Sequence, residues 1–214
     1  MEKNIAILTW EPVGWSASGP SIDGIWRNNG PELPVEYTLA SCTTQKGRKS
    51  VLSLTLRPGW KRNPVLWSMM CTGETSKAVR ELALMMECGD GQVGLIDIES
   101  GEGQGATYED LEEVERWAEE QSWQGNRIDA VVWRAQLAQE TTSRETVRML
   151  RSLDGKERRD TEAYVRSTPS QLRTPFREMM ERELGWTPFT LVERLAPVKV
   201  RSCGAPVKLQ ERTF

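Results

Sequence analysis

The sequence predicts an α+β fold: a small mixed β-barrel or strongly curved sheet flanked by helices, with a helical C-terminal extension. Three observations lead there. Strand-like runs come first, helix and strand mix in the middle, and helical patterns come late, an order unlike regular βαβ alternation. Pro and Gly punctuate the early runs closely, as short connections require. The length of 214 residues suits one domain with an appendage. The expected division is a barrel domain over residues 1–140 and a helical extension over 141–214 packed on it, with a closing strand.

Ile5-Ala6-Ile7-Leu8 is a continuous apolar run of the kind a buried strand carries. It leads into Thr9-Trp10-Glu11-Pro12-Val13-Gly14-Trp15, where Pro and Gly impose a loop. Leu33 to Ser41 alternates in part. Val51 to Arg57 alternates cleanly, with Leu52, Leu54 and Leu56 on one face and Ser53 and Thr55 on the other. The Lys46-Gly47-Arg48 turn joins the two as a hairpin. Val65 to Met69 reads as a third strand.

A helix follows, capped by Thr75 or Ser76, with Ala78, Leu82 and Met85/Met86 at helical spacing; Gly89 and Gly91 stop it. Val93 to Ile98 returns as a strand. Gly101 to Gly105 is a connector, lacking the Lys-Ser/Thr ending of a phosphate loop. Thr107-x-x-Asp110 opens an acidic amphipathic helix with Leu111, Val114, Trp117 and Ala118 on one face. Ile128 to Trp133 is another buried-type strand. Thr142-x-x-Glu145 opens a helix through Val147, Leu150 and Leu153, stopped at Gly155. Pro169 and Pro175 each suit a first helical position, and the last helix ends at Gly185. Pro188 to Lys199 suits a closing strand.

The chain contains no histidine. That removes Ser-His-Asp triads, Cys-His pairs and His-ligated metals, and leaves proton transfer to a carboxylate, Lys, Cys or Tyr. Cys42, Cys71, Cys88 and Cys203 form no close pair, so zinc ribbons and CxxC motifs lack support, and reduced cysteines are expected. No Asp-rich ligand spacing occurs, so no metal or cofactor is expected. No apolar run approaches a membrane span, and the start carries no signal peptide; a cytoplasmic protein is expected. Residues 1–142 hold 13 Lys/Arg against 21 Asp/Glu, net −8, and residues 143–214 hold 15 against 10, net +5, which together make the formal −3. The basic helices offer a surface to a protein partner. Their arginines alternate with acids, as in Glu181-Arg182-Glu183, which argues against nucleic acid.

Glu87 is the first candidate for acid–base chemistry. It ends an apolar helix just before a glycine turn, and apolar walls and a helix C-terminus both disfavour its charge. Glu11, between Trp10 and Trp15 in the loop after the first strand, is the second. Asp129 is a third acid, at a strand start where acids serve as caps. Cys88 lies between acids that raise a thiol's pKa, and Cys71 has no evident activating cation, so both read as structural.

These pieces together resemble the gamma-glutamylcyclotransferase-like family. In that family a first strand ends in a Tyr-Gly-Ser-Leu loop, two strands follow, and a helix ends in a Glu-Gly turn. Ile5 to Trp10 resembles the entry strand, Pro34 to Tyr37 and Val51 to Leu56 the next two, and Ala78 to Gly89 the helix and its turn. The resemblance covers roughly residues 4–98. It implies a gamma-glutamylcyclotransferase-like fold, Glu87 as catalytic base, and a small gamma-glutamyl amine as substrate, held by Thr9, Trp10, Glu11, Pro12, Val13 and Gly14. The loop departs from the family, reading Trp10-Glu11-Pro12-Val13: Pro12 removes an N–H and Glu11 adds negative charge beside an anionic substrate. The alternative is therefore a catalytically inactive binding module on the same scaffold.

Overall fold

A computed structural model describes residues 2–11, 19–44, 47–86, 89–135 and 142–189. They form an α+β structure around a six-stranded mixed sheet. Its central strand, β1 (Ile5–Thr9), is buried at every position. β1 pairs antiparallel with β7 (Leu66–Met70) and parallel with β12 (Ala130–Arg134). β2 (Ile22–Arg27) lies beyond β7, and β8 (Val93–Asp97) then β9 (Gly103–Gln104) lie beyond β12. The order β2-β7-β1-β12-β8-β9 is open, so no barrel closes among the described residues. Its edges are β2 on one side and the two-residue β9 on the other.

Period-two alternation divides the sheet's side chains between two layers. Ile5, Ile7, Met70, Val93, Ala130 and Val132 pack with Ala78, Leu82 and Ala83 of α1 (Thr75–Met85). Their neighbours in sequence, Ala6, Leu8, Trp67, Met69, Val131 and Trp133, belong to the larger core on the other face. There α2 (Tyr108–Glu120) supplies Val114, Trp117 and Ala118, and Trp117 meets Trp67 edge-on at 5.1 Å between centroids. Trp133 lies across the neighbouring strand at Gly94, where an added Cβ would stand 2.2 Å from the indole. Only glycine admits that approach.

The hairpin of β4 (Val35–Thr44) and β5 (Gly47–Leu56) pairs in register from Val35↔Leu56 to Thr44↔Gly47. Alternation in β5 implies one solvated face. Instead both faces of the hairpin's base are buried: Val35, Tyr37, Leu54 and Leu56 on one, Glu36, Thr38, Ser53 and Thr55 on the other. The cover comes from the sheet and from α3 (Ser143–Ser152), α4 (Gly155–Ser167) and α5 (Pro175–Leu184), whose Leu150, Val165, Phe176 and Met180 join the larger core. Tyr37 donates its hydroxyl to Thr168 at 2.7 Å, and the Leu54 N–H donates to the Tyr164 hydroxyl at 2.8 Å.

Several helix ends follow the sequence signals. Thr107 caps α2, Thr142 and Glu145 form a reciprocal capping box on α3, Pro175 opens α5, and Gly185 closes it at φ 72°. Others differ. α1 is preceded by extended Glu74 with no side-chain cap, so Thr75 and Ser76 lie inside the helix. Gly155 opens α4 rather than stopping α3, which ends at extended Leu153. Pro169 sits in a turn closed by the Leu172 N–H, and no helix restarts there. The short pairs β3 (Glu32–Leu33) with β6 (Asn63–Pro64) and β10 (Ser122–Trp123) with β11 (Asn126–Arg127) complete the described strands. Of the expected closing strand, residues 190–199 lie outside the described residues. Cys71 is disulfide-bonded, against the expectation of reduced cysteines. No described helix is long and apolar enough to cross a membrane.

Candidate functional site

Because β1 and β12 are parallel neighbours, their C-terminal ends emerge side by side, the place where open sheets with parallel strands build ligand sites. β1 delivers Thr9, Trp10 and Glu11 there, and β12 delivers Arg134. β8 starts at the same end, since Val93 pairs with Arg134. The chain from α1 therefore re-enters the sheet here, through a 3-10 turn at Asp90–Gln92 whose Gln92 carbonyl accepts the Ala135 N–H.

Glu11 is 5% exposed and bound on two sides. Arg134 Nη1 donates to both of its carboxylate oxygens at 2.6 Å, and the Ser53 hydroxyl donates to Oε1 at 2.9 Å. A carboxylate removed from water needs such partners, since an unpaired buried charge is costly. Arg134 keeps 23% of its side chain exposed, and its Nε and Nη2 make no hydrogen bond to the described residues. Tyr164 stands behind the pair; burial first, then the Glu11 charge, pushes its phenol well above the ordinary range. Trp10 is a core residue whose indole donates to the Leu54 carbonyl at 3.2 Å. The Thr9 hydroxyl folds back onto the Glu11 backbone, accepting its N–H at 3.3 Å.

A second buried carboxylate lies on the polar face of the hairpin. Glu36 is wholly buried, accepting the N–H of Tyr37 at 2.7 Å and of Phe176, in the first turn of α5, at 3.3 Å. Burial raises its pKa from 4.5 to about 7, against the lowering effect of Thr174, these amides and the Arg57 charge. Folding thus favours the protonated acid. Its stabilising contribution is whole below about pH 4.5 and is lost as pH rises through about 7, a change of about 3 kcal/mol. Urea unfolding of the wild type and Glu36→Gln across that window should show the wild type losing this amount relative to the variant. A pH-independent difference between the two would refute the assignment.

Of the residues singled out in the sequence, Thr9, Trp10 and Glu11 come together at this sheet end. Glu87, Pro12, Val13 and Gly14 lie outside the described residues. Asp129 accepts from the Asn4 backbone and side chain and from Arg127, an anchor at the start of β12. Sequence reasoning passed over Arg134, Ser53, Tyr164 and Glu36. Two signals were available: a charge closing an apolar strand at Arg134, and an acid between Val35 and Tyr37 in a strand. No metal-holding group of three or more His, Cys, Asp or Glu occurs among the described residues. No protein-family model, curated protein or solved structure matches this chain.

Proposed function

We propose that the chain is a gamma-glutamylcyclotransferase-like enzyme of the same fold type, acting on a small gamma-glutamyl amine at the sheet end formed by β1, β12 and β8. The observation that carries this reading is the convergence there of the Thr9–Glu11 corner, Arg134 and the chain returning from α1. Glu11 had argued against an anionic substrate. Its charge is matched by Arg134, and the remaining guanidinium N–H groups suit the substrate's α-carboxylate.

In the reaction, Glu87 takes a proton from the substrate's α-amine. The amine nitrogen attacks the γ-carbonyl carbon, and the proton passes to the departing amine as the C–N bond breaks. The products are 5-oxoproline and a free amine. General base catalysis of this kind contributes about 10²–10⁴-fold. Measuring 5-oxoproline release from a panel of gamma-glutamyl amines should show turnover that falls by at least about 100-fold in Glu87→Gln. No release by the wild type, or equal rates in the two proteins, would overturn the proposal. One observation favours the inactive binding module instead: Glu11 already fills one side of Arg134. An absence of turnover with the fold intact selects that reading.

A further inference from the structure

Between α3 and α5 runs an open groove of about 500 Å³, lined by Arg144, Val147, Arg148 and Arg151 of α3 and by Met179 and Glu183 of α5. On α3 these positions are i, i+3, i+4 and i+7, the spacing of one helix face. A stripe with that spacing, turned toward a neighbouring helix, is ordinarily apolar. Here arginine takes three of its four places, over a floor of buried Val147 and half-buried Met179.

Charges within the chain do not account for these arginines. Arg151 shares Glu183 with Arg182, at 2.9 and 3.6 Å, so that carboxylate is answered by its neighbours. Arg144 and Arg148 have no ion-pair partner among the described residues. Glu145, beside Arg144 in sequence, is turned onto the cap instead, accepting the Thr142 N–H at 3.1 Å and its hydroxyl at 2.7 Å. One turn apart, the two unpaired guanidinium groups repel each other. Arg144 also lies in the first turn of α3, where the helix dipole disfavours a cation. An anionic surface laid into the groove offsets both effects.

The chemistry of that surface follows from the spacing. Arg144 and Arg148 stand about 6 Å apart along the helix axis, the pitch of two carboxylates one turn apart on another helix. α5 already shows the pairing, since it presents Glu183 from a neighbouring helix to Arg151. The apolar floor calls for an aliphatic side chain next to the carboxylates. A nucleic-acid backbone supplies the charge and leaves that floor unused. A second copy of this chain matches poorly as well. Its most acidic described helix, α2, sets exposed Arg116 between Glu112 and Glu119.

We propose that the α3–α5 groove docks an acidic amphipathic helix of a partner protein. Two carboxylates one turn apart on that helix pair with Arg144 and Arg148, and an aliphatic side chain rests on Val147 and Met179. The partner's face then reads Glu-x-x-Leu-Glu, a helix-in-groove contact in which charge sets the register and the aliphatic anchor fills the floor.

Fluorescence anisotropy of a labelled helical peptide, titrated with the whole chain, tests this. The probe is built on alanine and glutamine and carries Glu-x-x-Leu-Glu on one face. Saturable binding is expected, and it should weaken with added salt because the pairs are exposed. Exchanging both glutamates of the probe for glutamine, or its leucine for alanine, should each weaken binding at least about fivefold. Arg144→Glu with Arg148→Glu should weaken it at least about tenfold. A probe with lysines in place of the glutamates should bind that reversed variant better than it binds the wild type. Far-UV circular dichroism confirms that the variant is folded. The proposal is overturned by a wild type that does not bind the probe, by glutamine or alanine probes that bind equally, or by a reversed variant that binds as the wild type does. An oligonucleotide that binds the same arginines more tightly than the probe also overturns it. So does self-association of the chain that the same arginine reversals abolish.

Discussion

Replacing Arg177 with methionine is expected to destabilise the fold by at least about 4 kcal/mol, among the largest losses any single change in this chain should produce. Arg177 is completely buried, an unusual state for arginine. Its guanidinium stays there because nearly every donor has a fixed partner. Nη1 donates to the carbonyls of Pro169 at 2.5 Å and Leu172 at 3.2 Å, Nη2 to that of Thr168 at 3.0 Å, and Nε to Glu181 at 3.1 Å. The connection between α4 and α5 is thereby folded around one side chain. Pro169 and Pro175 lack backbone N–H groups, and the connection's own backbone bonds, from the Leu172 N–H to Pro169 and from the Arg173 N–H to Gln171, leave the Thr168 and Leu172 carbonyls to Arg177.

Methionine keeps most of the volume and removes the donors. Two carbonyls of buried residues, those of Thr168 and Leu172, then lose their partner, each worth about 1–3 kcal/mol; the Pro169 carbonyl keeps only the Leu172 N–H, and Glu181 loses its inner cation. Arg177→Lys is the informative companion: it keeps the charge, but its single nitrogen lacks the planar fork that reaches three carbonyls and a carboxylate at once. Urea denaturation should place the lysine variant between wild type and methionine. Hydrogen exchange should show faster opening at residues 168–176 before the sheet is affected. If both variants unfold within about 1 kcal/mol of the wild type, the clamp is not what holds this segment.

Arg177 also shows where the sequence stops being legible. In Pro175 to Leu184 it reads as one more charge on an amphipathic helix, and nothing local marks it as buried. Signals that act within a turn of their own residue are readable: the caps at Thr107 and Thr142, Pro175 at a helix start, Gly185 at a helix end. So are β1 and β12, because strands buried on both faces must be continuously apolar. β2 is hidden, since Ile22-Asp23-Gly24-Ile25-Trp26-Arg27 has neither pattern. Part of its support is distant: Arg27 lies between the rings of Trp67 at 4.9 Å and Trp123 at 4.1 Å. The candidate site divides in the same way. Glu11 is visible as an acid in a strand-end loop, but its partner is 123 residues away and arrives only when β1 and β12 pair in parallel.

That pair sets the second large effect. Arg134→Met should cost about 3–5 kcal/mol, because among the described residues it leaves the buried Glu11 carboxylate only the Ser53 hydroxyl as a partner. The loss should sit toward the lower end, since Arg134 is 23% exposed and water can reach part of the site. Most of it measures an uncompensated charge rather than the worth of the ion pair. One consequence separates these. Adding Glu11→Leu to Arg134→Met should recover much of the stability, because a pair exchanged for apolar groups of similar volume is often neutral. A double-mutant cycle by urea denaturation reads the coupling directly. If the single losses simply add, the two side chains are independent and the sheet end is not organised around their contact. If they couple as expected, the Arg134→Met, Glu11→Leu protein keeps its fold without the cation proposed to hold a substrate carboxylate. Turnover lost in that folded double variant then separates a binding role for Arg134 from its structural one.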